Sequence, residues 1–176
     1  MRKGVVSDIT LIALFAAFIS VCSFITVPFF AVPFTLQSLG IFSALFILGG
    51  ARGTLAVTLY VAIGATGLPV FSGFTGGVGR FFDATGGFII GFIVSALSYW
   101  IITAIAGKSA PIMIIGAVAA QLTVYICGWL RFSLVYSGGG LVGALTAVVL
   151  PFIIPDALKL ALAYFLSVKI KKHLKI

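Results

Sequence analysis

The chain has 176 residues, of which 62% are hydrophobic and only 8% are charged. A soluble domain carries about 25% charged residues, so this composition excludes a water-facing globule and points to an integral membrane protein. The net charge of +8 does not indicate a nucleic-acid partner. The basic residues lie between or beyond apolar runs, interleave with no exposed aromatics, and read as topology signals at the ends of spans.

A membrane-crossing helix needs about 20 apolar residues, and six segments emerge in chain order. The first runs from about Ser7 to Val27 and ends before Pro28. Met1-Arg-Lys leads into it without a small-x-small cleavage site, so it reads as a first span and not as a removed signal peptide. The second covers Gln37 to Leu48, bounded by Pro33 and Gly49-Gly50, and the third starts after Gly53 and runs toward Thr66. The fourth covers Gly87 to Ala106, the fifth Pro111 to Gly128, and the sixth Pro155 to Val168. Pro155 suits the first turn of a helix, where its missing N–H is no loss. From Pro155 to Lys172 an α-helix is about 27 Å long, enough to span.

Leu141 to Leu150 is apolar but only about 15 Å long as a helix, so it reads as a re-entrant or interfacial helix. The rival is one long span from Leu141 to Leu160, which Pro151 and Pro155 oppose. The expected fold is therefore an all-α integral membrane protein, a single six-helix domain over residues 1–176, with a short re-entrant or interfacial helix before the last span.

Arg2, Lys3, Arg52, Lys108, Lys169, Lys171, Lys172 and Lys175 all fall on one side of this layout, and only Arg80 and Arg131 on the other. The positive-inside rule then puts both termini in the cytoplasm of a cell with this protein in its plasma membrane. The start of the sixth helix faces outward, together with the connections from Pro28 to Leu36 and from Gly67 to Gly86.

Asp156 and Lys159 carry the strongest functional signal. They sit in a segment with almost nothing else polar, and three residues apart on a helix they share one face. An ionisable pair inside an apolar segment is costly and marks a functional site by default. The connection from Gly67 to Gly87 is rich in glycine yet carries Phe71, Phe74, Phe81 and Phe82, which gives tight turns beside flat apolar walls. Arg80 and Asp83 within it either pair with each other or meet a ligand. Gln37, at the outer end of the second span, either bridges backbone or contacts a ligand. Arg131 follows Trp129 and reads as an interfacial anchor. Ala13 and Ala17 are four apart on the first span, a spacing that lets helices approach closely. Gly87 and Gly91 repeat it on the fourth.

Several chemistries are excluded. Gly107-Lys108-Ser109 mimics the end of a phosphate loop, but Ile102 stands where the first glycine is required. Gly77-Val-Gly79 lacks the third glycine of a dinucleotide fingerprint. Cys22 and Cys127 read as small buried hydrophobes with no disulfide framework. The only histidine, His173, lies in a Lys-rich tail, so no catalytic set and no metal-ligand spacing exists. The chain is expected to be no enzyme and to carry no cofactor or metal.

Val32-Pro-Phe-Thr-Leu-Gln37, Gly67-Leu-Pro-Val-Phe71 with the Gly/aromatic loop, Thr85-Gly-Gly-Phe-Ile-Ile-Gly91 and Pro151-Phe-x-x-x-Asp156-x-x-Lys159 occur in that order. Through them the chain resembles, nearly end to end, the BioY family, the biotin-specific substrate-binding (S) components of energy-coupling factor (ECF) vitamin importers. The resemblance implies a six-helix membrane protein that takes biotin from outside with high affinity. It implies partners: a transmembrane coupling protein, EcfT, contacted through Ala13 and Ala17, and two cytoplasmic ATPases. Family sequences often read Gly-Pro-Thr-Gly-Gly where this chain has Asp83-Ala-Thr-Gly-Gly87, which adds a charge near the pocket.

Biotin offers a ureido group with two N–H donors and a carbonyl, apolar fused rings, and a carboxylate tail. Asp156 is expected to accept from a ureido N–H. Lys159 donates to the ureido carbonyl or to the tail, and Arg80 covers the group that Lys159 leaves. Gln37 and Thr85 are further candidate contacts, and Phe71, Phe74, Tyr125 and Trp129 are candidates for the apolar walls. Two alternatives stay open: an S component for another small vitamin, and a self-sufficient carrier in which Asp156 or Asp83 relays protons.

Overall fold

A computed structural model of the chain describes residues 3–28, 32–136 and 140–174, with side chains from residue 7 to residue 173 within those ranges. Residues 29–31 of the first outer connection lie outside the described residues, as do Arg2 and Lys175 of the charge pattern and the side chain of Lys3.

The described chain is mostly helical. Helix α1 (Lys3–Phe24) leads into a small antiparallel ribbon, β1 (Thr26–Val27) paired with β2 (Phe34–Thr35), in which Thr26 faces Thr35 and Val27 faces Phe34. Helices α2 (Gln37–Leu48) and α3 (Gly50–Ala65) follow, then a loop with a short 3₁₀ turn at Val78–Phe81. Helices α4 (Gly86–Ala106) and α5 (Ala110–Val135) form a long hairpin. Helix α6 (Gly140–Val148) packs on α5, a 3₁₀ turn spans Leu150–Phe152, and α7 (Ile153–Leu174) returns against α2.

Helix α2 organises the interior. It is apolar on every face, and every residue except Ser38 is buried, as a helix without a polar stripe requires. It touches α1, α3, α4 and α7. Gly49, with φ of 83°, makes the reversal into α3 at a backbone angle that only glycine adopts freely. Helix α3 begins at Gly50, ahead of the start expected after Gly53, and Gly53 lies directly on the backbone of Leu45. On α4, Gly87 and Gly91 both abut α5, at Cys127 and Val124, which is how the Gly-x-x-x-Gly spacing is used.

The outer surface is apolar. Ile105, Leu134 and Phe165 are 82%, 80% and 69% exposed. Contiguous apolar surface on this scale suits lipid, not water. Four stretches are long and apolar enough to cross a membrane: Ser7–Phe24, Gly86–Ala106, Ala110–Val135 and Gly140–His173. Helices α2 and α3 have 12 and 16 residues. They are about 18 and 24 Å long, below the length that a lone span needs. The chain is thus an integral membrane protein in which two of the six expected spans are short helices, one of them sheathed by its neighbours.

Other boundaries differ from the expected ones too, and two of them bear on the site. Helix α5 runs past Gly128 to Val135, so Trp129 and Arg131 stand on the helix itself. Helix α7 begins at Ile153, and Pro155 is its third residue. The first four N–H groups of a helix have no intrahelical partner, so proline costs nothing there. The 3₁₀ turn at Leu150–Phe152 separates α6 from α7 and leaves Asp156 in the first turn of α7.

Candidate functional site

The first two turns of α7 point Asp156 and Lys159 inward, next to the β1–β2 ribbon. They are 7% and 6% exposed, and Lys159 Nζ lies 2.8 Å from Asp156 Oδ1. A buried ion pair is tolerated only when its remaining donors and acceptors are met. Here Asp156 Oδ1 also accepts from Ser38 Oγ at 3.0 Å. Its Oδ2 accepts from Tyr125 Oη at 2.8 Å and from Gln121 Nε2 at 3.1 Å. Helices α2, α5 and α7 thus converge on one carboxylate, which also sits at the positive end of the α7 dipole.

Lys159 Nζ gives a second hydrogen to the Thr35 carbonyl at 2.7 Å and stands 3.8 Å from the centre of the Phe34 ring. An ammonium has three donors, so one remains for a ligand. Strand β2 supplies both contacts, which ties the ribbon to the pair. Beside them Gln37 Nε2 donates to Tyr60 Oη at 2.7 Å, and Gln37 Oε1 accepts from Thr35 Oγ1 at 3.0 Å.

The pair opens onto a cavity of about 480 Å³ whose polar lining includes Ser38, Gln121, Tyr125, Asp156 and Lys159. A second cavity of about 460 Å³ carries Ser72, Arg80 and Thr85. Val32, Pro33, Thr35, Gln37, Phe88 and Phe92 line both, so the two are lobes of one hollow with a largely apolar waist. The hollow has a hydrogen-bonding cluster at one end and one cation, Arg80, at the other.

Arg80 stands in the 3₁₀ turn and pairs with Asp83, Nη1 to Oδ2 at 2.6 Å. Its Nε is buried with no partner. Phe71 forms part of the wall of the second lobe and is 2% exposed. Its ring lies on Gly64, where any Cβ would collide with it, and meets Tyr60 edge-on at 5.6 Å. Arg131 Nη2 donates to the Phe82 carbonyl, which fastens the loop to α5.

The structure therefore brings Asp156, Lys159, Gln37 and Tyr125 together in the first lobe and Arg80, Thr85 and Phe71 in the second. Gln37 lines both. Tyr125 serves as a hydrogen-bond donor to Asp156 as well as a wall. Two expected wall residues line neither lobe. Phe74 has φ of 55°, is 65% exposed and stacks on Phe24 at 4.5 Å. Trp129 donates from Nε1 to the Leu141 carbonyl at 2.8 Å and so holds the start of α6. Ala13 and Ala17 are exposed on α1, as a contact face requires. Gln121, Ser38, Phe34 and Phe88 were not among the expected contacts. Gln121 had a signal: it is an amide in an apolar run, four residues before Tyr125, which sets both on one helix face. Asp8 was also overlooked. It pairs with Arg52 at 2.7 Å and joins α1 to α3. Among the described residues no group of three or more His, Cys, Asp or Glu is placed to hold a metal ion.

The family model described as the BioY family matches residues 1–176. The chain belongs to the BioY family. A "Probable biotin transporter BioY" of Pyrococcus horikoshii is 34% identical over 165 residues, 93% of this chain and 96% of that protein. The "Biotin transporter BioY" of Thermotoga maritima is 35% identical over 161 residues, 90% of this chain and 92% of its own. That of Rhodobacter capsulatus is 39% identical over 165 residues and 86% of both chains. Among solved structures, the S-component for biotin from an ECF-type ABC transporter superposes with a TM-score of 0.85 at 26% identity, covering 98% of this chain and 94% of that one.

Proposed function

We propose that this family member is the biotin-binding S component of an ATP-driven ECF-type importer in the plasma membrane, taking biotin from the outer side. The observation that carries this reading is the two-lobed hollow with opposed polar ends. A bicyclic urea fits the cluster around Asp156 and Lys159, the fused rings fit the apolar waist at Phe88 and Phe92, and a carboxylate tail reaches Arg80. The third donor of Lys159 goes to the ureido carbonyl. Asp156 accepts one ureido N–H. Its four present donors already occupy its acceptor sites, so the ligand replaces one of them, and the Ser38 hydroxyl yields most readily because it rotates about one bond. The tail carboxylate takes Arg80 from Asp83, an exposed pairing of little strength.

In this reading α2 and α3 complete a six-span bundle over residues 1–176, with both termini cytoplasmic and α6 lying in the outer interface. The short α2 crosses inside a sheath of other helices and needs no lipid-matched length of its own. ATP hydrolysis belongs to two separate ATPases, coupled through EcfT to the exposed Ala13–Ala17 face. The test is uptake of labelled biotin by liposomes that hold this chain alone, under a pH gradient, against liposomes that also hold the coupling protein and ATPases with ATP. Binding without accumulation in the first and accumulation in the second is expected. Accumulation driven by the pH gradient alone would favour a self-sufficient carrier.

A further inference from the structure

Gln121 is 8% exposed and lines the first lobe. The orientation of its amide is decided by its neighbour. Asp156 Oδ2 only accepts, so the –NH2 group of Gln121 faces it at 3.1 Å and the carbonyl must point away. That carbonyl oxygen, Oε1, is buried and has no hydrogen-bond partner. The other glutamine of the lobe differs, since both ends of the Gln37 amide are engaged, with Tyr60 and with Thr35. A buried acceptor without a donor is rare in folded proteins and costs free energy until a donor reaches it.

The hydroxyls of Ser38 and Tyr125 are engaged as donors to Asp156 and keep lone pairs, but among the polar side-chain atoms that line this lobe only Gln121 Oε1 is buried without any partner. Asp156 receives four donors, and the Thr35 carbonyl receives Lys159. A cyclic urea brings two N–H groups on opposite sides of one carbonyl. One displaces a donor at Asp156, and the other needs an acceptor beside it. We infer that Gln121 Oε1 is that acceptor, which makes Gln121 a specificity residue that demands a second N–H on the ligand. This rests on the biotin reading above. Gln121 then joins the carboxylate to the ligand: Nε2 holds Asp156 while Oε1 reads the urea. A ligand with only one N–H leaves the amide oxygen buried and unpaired, and a site built to bond a group discriminates strongly against its absence.

The test uses the purified full chain and three ligands: biotin and the two cyclic carbamates in which one or the other ureido N–H is replaced by oxygen. The replacement removes a donor with little change of shape. Wild type is expected to prefer biotin over each carbamate by about 10- to 100-fold. In Gln121→Met the preference over one of the two carbamates falls to within about threefold, while the preference over the other, read by Asp156, persists. Gln121→Asn, which keeps an amide but withdraws it by one methylene, is expected to show the same asymmetry and serves if the Met variant is not monodisperse. Both preferences surviving in the variants, or both collapsing together, would overturn the inference and leave Gln121 as a support for Asp156. Wild type that fails to bind biotin at all would overturn the biotin reading, and this inference with it.

Discussion

The buried pair makes a quantitative prediction about coupling. Lys159→Met leaves Asp156 with three neutral donors, from Ser38, Gln121 and Tyr125, and strands the Thr35 carbonyl. Asp156→Asn leaves the ammonium without a counter-charge, with the Thr35 carbonyl, the Phe34 ring and at most one neutral amide oxygen. It also sets an –NH2 group against two donors, whichever oxygen it replaces. Removing one partner of a buried pair costs about 3–5 kcal/mol, whereas removing both charges avoids the uncompensated ion. Lys159→Met should lie at the lower end, because three hydrogen bonds still solvate the carboxylate, and Asp156→Asn at the upper end. The double variant Asp156→Asn with Lys159→Met should be no less stable than the worse single variant, so the two changes fall short of additivity by about 3 kcal/mol or more. SDS-driven unfolding in mixed micelles, followed by tryptophan fluorescence, measures all four corners of the cycle. Additivity to within about 0.5 kcal/mol would refute the reasoning, because it would mean that the two charges do not depend on each other.

Three further outcomes follow from particular contacts. Gly64→Ala places a methyl group inside the Phe71 ring and should cost about 1–3 kcal/mol of stability with weakened biotin binding, both partly restored by adding Phe71→Leu; an unchanged variant would show that the loop packs otherwise. Arg80→Met should weaken biotin binding by about 10-fold or more and leave binding of biotin amide nearly unchanged, since a charge-assisted bond to the tail is worth about 1.5–3 kcal/mol; equal losses for both ligands would remove Arg80 from the tail. Ala13→Trp, on the exposed face of α1, should leave biotin affinity intact and abolish co-purification with the coupling protein and ATPases; normal recovery of the complex would contradict a contact there.

Much of this arrangement was readable from local sequence because its causes are local. Pro155 and the spacing of Asp156 and Lys159 put the pair on one face at the start of α7. Gly49-Gly50 marks the reversal between α2 and α3, and Pro151 breaks the apolar run between α6 and α7. What depends on chain-distant neighbours was not readable. Ser38 and Gln121 meet Asp156 from positions 118 and 35 residues away, and only the packing of α2 and α5 against α7 brings them there. The aromatics of the loop show the same limit. Phe71 and Phe74 look alike in sequence, yet Gly64 opens a seat for the first, and the positive φ of the second turns it out to stack on Phe24. Trp129 follows an identifiable rule, because the indole N–H of a half-buried tryptophan seeks an acceptor, but the sequence does not say that the acceptor is the start of α6 and not a ligand. The length of α2 was visible too, and its short span became intelligible only once its neighbours were seen to enclose it.

Biotin binding by this chain alone is the property to measure first. Titration calorimetry of the purified, monodisperse chain with biotin, and with thiamine and riboflavin alongside, measures it without any partner present. A saturable one-to-one heat with biotin and none with the other two vitamins is the predicted result. A folded sample that gives no biotin heat would contradict it, and the two-lobed hollow would then have to be assigned to another ligand.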